Sequence, residues 1–341
     1  MKLIIQIPCL DEAETLPATL AALPREIDGF DSVEWLVVDD GSTDQTVSVA
    51  RDGGVDHLVR LPTHKGLAVA FQAGMDACLK LGADVIVNTD ADGQYDPADI
   101  PRLVSPILKG EADLVVGDRG VGAVADFSWT KRRLQKLGSS VVSRAAGMPV
   151  PDATSGFRAY HRDAALSVVV LSQFTYTLET LIQAGAGPYT VSHVPVQRNQ
   201  VDRPSRLFRS NWDYIRRSIG GILRVATFYS PLRTFTFVAV LLGIAAMASW
   251  YPFLSSWIQG DGTGRVQSII LGAIFAIAAV QVMAVGVLAD LLSKQRGLSQ
   301  ETLERVRRLE MHTGVPPSHY EPGTPPDHTS ALSAPDDPPT G

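Results

Sequence analysis

Cysteine is almost absent from this chain. Cys9 and Cys78 are the only two among 341 residues, too few for a disulfide framework. Each reads as a small buried hydrophobe rather than a ligand or nucleophile. An excess of positive charge is also missing: the net charge is −6, and nothing global points to nucleic acid. A signal peptide is not expected, because Met1-Lys2-Leu3-Ile4-Ile5-Gln6-Ile7-Pro8 is too short an apolar run and has no cleavage site. The amino-terminal half is therefore expected in the cytosol. Internal repeats do not occur. The most informative lack is of charge late in the chain. Between Arg233 and Asp261 there is no charged residue, and between Arg265 and Asp290 again none. At ~1.5 Å per residue, either stretch can cross a ~30 Å hydrocarbon core. The alternative is a pair of buried helices in a soluble domain, but uncharged runs of ~20 residues are rare there.

Flanking charge sets an orientation. Arg206, Arg209, Arg216, Arg217, Arg224 and Arg233 precede the first run, and Lys294, Arg296, Arg305, Arg307 and Arg308 follow the second. The connector carries only Asp261 and Arg265. The positive-inside rule then puts both flanks in the cytosol and Trp250, Tyr251, Phe253 and Trp257 at the outer interface. Localisation in the cell membrane follows, multi-pass, with the amino-terminal domain and both termini cytosolic. Within residues 205–230, Trp212, Ile215, Ile219, Ile222 and Val225 recur at helical spacing, with arginines mostly on other faces. That pattern fits a helix lying in the membrane surface, or an amphipathic helix packed on the preceding domain. Residues 299–311 read as a short helix with Glu301–Arg305 and Glu304–Arg308 pairs. From Thr313 onward the chain is rich in Pro, Asp and Ser and is expected to be disordered and dispensable for activity. The expected division is 1–200 an amino-terminal domain, 201–232 juxtamembrane amphipathic helices, 233–292 two transmembrane helices, 293–312 a cytosolic helix and 313–341 a disordered tail.

Residues 1 to about 115 alternate short β-rich runs with helical patterns, which argues for βαβ units and a mostly parallel, Rossmann-like sheet. Strands are expected over 3–7, 34–38, 57–61, 84–89 and 112–117, and a later one over 189–197. Helices are expected over 12–23, 44–51, 67–81, 99–109 and 131–146, with one more carrying Glu179. In open α/β sheets, ligands bind at the carboxyl ends of strands. The polar clusters fall there: Pro8-Cys9-Leu10-Asp11-Glu12, Asp39-Asp40-Gly41-Ser42, Asp90-Ala91-Asp92 and Gly117-Asp118-Arg119.

Asp90 and Asp92 sit two residues apart where an apolar strand frays into a loop, and can turn toward one point. Hard cations such as Mg2+ or Mn2+ prefer oxygen ligands of this kind, and Gln94 adds a neutral oxygen. A D-x-D pattern alone also fits a surface turn. Asp39-Asp40-Gly41-Ser42 fits a turn and helix cap, but that leaves two carboxylates before the turn unexplained; one can accept hydrogen bonds from a base or ribose. His64-Lys65-Gly66 fits a helix start, or a place where backbone approaches a diphosphate.

Taken together, Ile7-Pro8-Cys9-Leu10-Asp11-Glu12, Asp39-Asp40-Gly41-Ser42, Gly66, Asp90-Ala91-Asp92-Gly93-Gln94 and Ser155-Gly156-Phe157-Arg158 resemble family 2 glycosyltransferases of the GT-A fold. With the two trailing apolar runs, the closer resemblance is to the polyprenyl-phosphate glycosyltransferase branch, over roughly residues 1–310. The resemblance implies a nucleotide-sugar pocket formed by Pro8, Leu10, Glu12, Val38, Asp39, Asp40, Gly66 and Ala91, without saying which Asp makes the contact. It implies a metal site at Asp90, Asp92 and Gln94, and Arg119 near the phosphates. Arg132 or Arg133, with Ser155 and Arg158, match the lipid-phosphate side. Two departures stand out. Asp11 replaces the usual Asn, and Arg203-Pro204-Ser205-Arg206 replaces a longer basic loop over the donor.

The implied reaction moves a hexose from a UDP- or GDP-sugar to a polyprenyl phosphate, with Mg2+ or Mn2+ and catalysis by Asp90, Asp92 and Arg119. A phosphate monoester is largely dianionic at neutral pH, so it needs no strong base, and direct displacement inverts the anomeric centre. The expected partners are the donor, the lipid acceptor and membrane lipids, with no nucleic acid; a homo-oligomer stays open. Two rivals remain. A processive polysaccharide synthase would carry a Q-x-x-R-W motif, absent here. A non-catalytic scaffold would not need the intact Asp90, Asp92 and Gln94 set.

Overall fold

The structure, a computed structural model, describes residues 1–120, 140–170 apart from 141 and 145, 176–199 apart from 198, 231–260 and 266–323. The expected helices over 131–146 and 205–230, and Arg132, Arg133, Arg203 and Arg206, lie wholly or largely outside these residues.

Strand β1 (Lys2–Cys9) is apolar on both faces and is buried along nearly its whole length, as a central parallel strand requires. It pairs in parallel with β2 (Ser32–Asp39) on one side and β4 (Val85–Asn88) on the other. β3 (His57–Arg60) continues outward from β2. On the other wing, β6 (Arg158–His161) runs antiparallel between β4 and β5 (Leu114–Asp118), and β7 (Val191–Pro195) pairs in parallel with β5. With β8 (Tyr320–Pro322) antiparallel on β3, the eight-stranded order is β7-β5-β6-β4-β1-β2-β3-β8.

Alternation along β1 divides the core. Leu3, Ile5, Ile7 and Cys9 face one layer, with helices α1 (Leu16–Ala22), α2 (Thr46–Asp52) and α4 (Ile100–Leu108). Ile4 faces the other layer, with α3 (Leu67–Lys80), α5 (Arg162–Ser167) and α6 (Tyr176–Ala186). Buried Gln6 also lies on the α3 side, where Gly74 gives it room: a Cβ on Gly74 would come 2.4 Å from Gln6 Oε1.

Two helices follow, α7 (Pro231–Ile258) and α8 (Val266–His312), both long and apolar enough to cross a membrane by length and composition. They pack on each other through glycine seats. A Cβ on Gly272 would meet the Trp250 indole, and one on Gly286 would meet Phe235 Cβ at 2.6 Å. Their outer faces expose Phe237, Val240, Ile274 and Val280, a surface of the kind that needs an apolar solvent.

Three expectations need correction. The helix over 299–311 is not separate: α8 continues without a break from the apolar run through its charged end. Gly297 does not end it, because a lone glycine costs only ~1 kcal/mol in a helix. The strand β6 and helix α5 were not expected at all. The tail is not disordered from residue 313, since residues 320–322 form β8. A strand this short is stabilised by its partner: the unpaired edge of β3 supplies the hydrogen bonds that local composition does not favour.

Candidate active site

The carboxyl ends of β1, β2, β3 and β4 meet along one edge, and the sequence-predicted residues gather there. The first loop and the loop after β2 are laced together. Asp11 N donates to Ser42 Oγ at 2.9 Å, Thr43 N to Asp11 Oδ1 at 2.8 Å, and Glu12 N to Thr46 Oγ1 at 2.9 Å. Asp11 has φ +53, a region Asp and Asn tolerate better than other residues. An Asn amide oxygen can accept the same Thr43 bond, so Asp11 replaces the usual Asn without changing the turn.

The two adjacent carboxylates divide their work. Asp40 accepts from Lys65 N at 2.7 Å and Gly66 N at 2.9 Å, and lies 2.8 Å from His64 Nδ1. It closes the 64–66 loop. Asp39 accepts from Ser42 N through Oδ1, while its buried Oδ2 has no hydrogen-bond partner among the described residues. Among the described residues, the cation paired with Asp39 Oδ2 is Arg60, with Nε at 3.9 Å. Asp39 is thus the carboxylate left with acceptor capacity for a ligand. Gly66, at φ +100, opens α3, and a Cβ there would meet nothing within 4 Å. Its own N–H is committed to Asp40, but the space beside its Cα is open and the helix that starts there has an end where an anion is favoured.

Past β4, Asp92 Oδ1 accepts from Gln94 N at 3.0 Å, and Ala91 O accepts from Thr19 Oγ1 at 2.9 Å, which fixes the 90–94 turn. Asn199 buttresses it from outside through Gln94 O and Gly93 O. Burial, then the neighbouring Asp92 charge, push the Asp90 carboxyl up to about 7 despite the pull of Arg119. Asp90 lies against Gly156, whose added Cβ would come 3.3 Å from Asp90 Oδ1 and 3.0 Å from the Tyr176 hydroxyl. Burial and then Asp90 also hold the Tyr176 hydroxyl well above its ordinary pKa.

This set fits a divalent cation in its chemistry. Two carboxylates repel each other at a half-buried point, and no hydrogen bond from the described residues satisfies Asp90. Among the described residues there is no group of three or more His, Cys, Asp or Glu that could hold a metal alone. A cation there would need the substrate or water to complete its oxygen shell.

Arg119 and Arg158 are both held by partners the sequence does not reveal. Arg119 makes a bidentate pair with buried Asp152, Nε to Oδ2 at 2.7 Å and Nη2 to Oδ1 at 3.0 Å, and Nη2 reaches Thr154 Oγ1 at 2.8 Å. Burial pushes Asp152 up, but the bonds from Arg119 outweigh that and leave it below the usual carboxylate range. Arg119 still favours charge on Asp90, so it remains an electrostatic neighbour of the site. Arg158 is fully buried. It donates to the carbonyls of Ser155, Thr177 and Ala153 and to Thr180 Oγ1, at 2.6–3.1 Å. Ser155 is fully buried as well. These two do not reach a surface where a lipid phosphate could meet them; Arg158 instead ties the 153–155 loop to α6. Glu179 lies buried on α6.

Several supporting residues escaped the sequence reading. Asn88 Nδ2 donates to Gly156 O at 2.8 Å and Gln6 Nε2 donates to Asn88 Oδ1 at 2.9 Å, a polar line beneath Asp90. The Tyr95 hydroxyl accepts from Gly156 N at 3.0 Å, and the Arg119 guanidinium stands 6.0 Å from its ring. The signal that could have found them is a polar residue inside an apolar strand, Gln6 and Asn88 being the clearest cases.

Comparison with known proteins agrees with this geometry. Residues 4–168 match the family described as Glycosyl transferase family 2. The chain is 31% identical over 204 residues to the polyprenol monophosphomannose synthase of Mycolicibacterium smegmatis, covering 57% of this chain and 76% of that protein. It is 26% identical over 285 residues to the dodecaprenyl-phosphate galacturonate synthase of Rhizobium johnstonii, covering 76% and 78%. Among solved structures, glucosyl-3-phosphoglycerate synthase of Mycobacterium tuberculosis, crystallised with Mn2+, UDP and phosphoglyceric acid, aligns with TM-score 0.51 at 21% identity, over 66% of this chain and 77% of that one. That likeness shows a shared GT-A-like fold.

Proposed function

This chain belongs to glycosyl transferase family 2, in its polyprenyl-phosphate branch, and from that premise we propose that it transfers a hexose from a nucleotide-sugar to a polyprenyl phosphate at the cytosolic membrane face. The observation that carries the reading is the shared edge. Asp39 with a spare buried oxygen, Gly66 with open space beside its Cα at the start of α3 and the Asp90–Asp92 pair lie at strand ends along one edge. The two relatives named above carry polyprenyl phosphate in their names but different sugars, so the hexose is left open.

In this reading Asp39 accepts from the nucleoside and the start of α3, beyond Gly66, faces the diphosphate. Asp90, Asp92 and Gln94 hold Mg2+ or Mn2+, which supplies positive charge for the departing nucleoside diphosphate. Mn2+ in the M. tuberculosis enzyme's crystals supports that choice of cation class. Arg119, locked by Asp152, adds a fixed positive charge that requires no reorganisation as negative charge develops. The acceptor phosphate is already a nucleophile, which removes the need for a general base. Arg132, Arg133, Arg203 and Arg206 are proposed for the acceptor phosphate and the donor cover. The apolar hairpin of α7 and α8, with basic residues on both flanks, supports a multi-pass protein with both flanks cytosolic.

The test is sugar transfer from radiolabelled UDP- and GDP-sugars to a chloroform-soluble lipid, with polyprenyl phosphate, polyprenol and free sugars compared as acceptors. The expected result is metal-dependent product with polyprenyl phosphate only, β-linked from an α-linked donor, and lost in Asp92→Ala. An α-linked product would sink the single displacement, and metal-independent or absent turnover would sink the reading.

A further inference from the structure

The segment beyond α8 returns to the same edge that carries Asp39 and Gly66. β8 pairs with β3 in the register His57 to Pro322, Leu58 to Glu321 and Val59 to Tyr320. Arg60 N donates to His319 O at 2.9 Å, Gly323 N donates to Asp56 O at 2.8 Å, and the Tyr320 hydroxyl lies 3.0 Å from His57 Nδ1. Glu321 pairs with Arg51. The last turns of α8 are held as firmly. Buried Arg307 donates to Leu166 O at 2.7 Å and Val168 O at 2.8 Å, Arg308 pairs with Asp163 at 3.0 Å, and Glu310 pairs with Lys80 at 3.1 Å. Residues 307–323 therefore grip both ends of the β3–α3 unit, whose intervening loop closes on Asp40.

A cleft of about 540 Å³ opens at this junction, lined by residues 41–43 after β2, residues 60–62 after β3 and residues 319–321. Its place on the edge limits what it can take. β4, β1, β2 and β3 are consecutive neighbours, so at ~4.8 Å per strand the cleft lies ~14 Å from the Asp90 turn. An extended nucleoside diphosphate spans a comparable distance. Asp39, with its unpartnered oxygen, stands between the two. The Arg60 side chain is half exposed, and its one ion pair among the described residues is the long contact with Asp39. His319 is exposed at φ +57, where glycine would be unstrained and most side chains are not.

We propose that this cleft takes the nucleoside end of the sugar donor, so that the segment beyond the second apolar helix forms a wall of the donor site and Arg60 and His319 select the nucleoside. The proposal rests on reading the edge as a nucleotide-sugar site. Arg60 offers donors to base carbonyls or ribose oxygens, and His319 a ring able to stack or hydrogen-bond. The wall is carried by the same helix that enters the lipid, so donor binding and membrane attachment share one piece of chain.

Full-length protein in lipid nanodiscs provides the test. Binding of UDP and of GDP is measured by calorimetry, and transfer kinetics with a nucleotide-sugar and polyprenyl phosphate, for wild type, Arg60→Ala and His319→Gly. The glycine variant removes the ring while relieving the backbone, so a merely structural role predicts unchanged or improved stability and unchanged binding. Expected is a roughly tenfold weaker nucleoside diphosphate affinity in each variant, a matching rise in donor KM, and kcat and acceptor KM within about twofold of wild type. Affinities within about twofold of wild type in both variants overturn the proposal, as does a wild type that binds neither UDP nor GDP. If wild type binds and the variants weaken it, but no sugar is transferred to any lipid phosphate, the cleft assignment stands and the proposed reaction fails.

Discussion

The sheet domain and the α7–α8 hairpin use the same apolar residues in opposite ways. In the sheet, Leu3, Ile4, Ile5 and Ile7 are fully buried, and buried Gln6 and Asn88 bond to each other. In the hairpin, Val280 is 70% and Ile258 72% exposed, and what is buried is mainly the seam between the two helices. One region excludes water by folding on itself; the other leaves that task to a surrounding apolar medium. The two should therefore fail independently and for different reasons.

The largest expected effect is inside the sheet domain. Asp152→Ala leaves the Arg119 guanidinium mostly buried without its carboxylate, and should cost about 3–5 kcal/mol of domain stability. Thermal unfolding of the sheet domain should move sharply while membrane partitioning does not. Next, Val280→Arg puts a charge on the outer face of α8 and should cost about 2.5–3.5 kcal/mol of membrane insertion. A glycosylation-tag insertion assay reads this. If the hairpin stood in water, the same change would be neutral or improve solubility, and the contrast between the regions would break. Third, Gly74→Ala forces a Cβ against the buried Gln6 amide and should cost about 1–3 kcal/mol. Gly243→Ala in α7, with nothing within 4 Å of an added Cβ, should be tolerated. Paired melting curves compare the two.

A pH dependence sharpens the comparison from another side. The folded Asp90 carboxyl sits at about 7, above its ordinary 3.8, so the folded state keeps a proton that the unfolded chain has released. Without metal, this group makes stability fall as pH rises from about 4 to about 7, with no further loss above that. Mn2+ should raise the melting temperature more at pH 8 than at pH 5.5, since it needs the carboxylate. Asp90→Asn should flatten both trends.

Much of the edge was legible in the sequence because each strand announces its end: an apolar run stops and charged or turn-forming residues begin. That placed Asp39, Asp40, Gly66, Asp90 and Asp92 on neighbouring strand ends of one sheet. What each carboxylate does was not legible. Asp40 is committed to a loop about 25 residues away and Arg119 to Asp152, partners that only the fold brings near. Arg158 read as a phosphate ligand because an exposed and a buried arginine look the same in sequence. β6 escaped notice since Arg158-Ala159-Tyr160-His161 has too little apolar alternation to stand out. β8 escaped because Pro-rich surroundings argue for disorder, and its stability comes from β3.

The unbroken α8 also acts as a measuring rod. Its 47 residues extend for about 70 Å, and its carboxyl-terminal end is bolted to α3 and α5. Height and heading of the active edge over the bilayer are then fixed by helical arithmetic. Each residue added between 292 and 303 would lift the domain by about 1.5 Å and swing it by about 100°. A single insertion would turn the edge away from the lipid, whereas seven would nearly restore its heading about 10 Å higher.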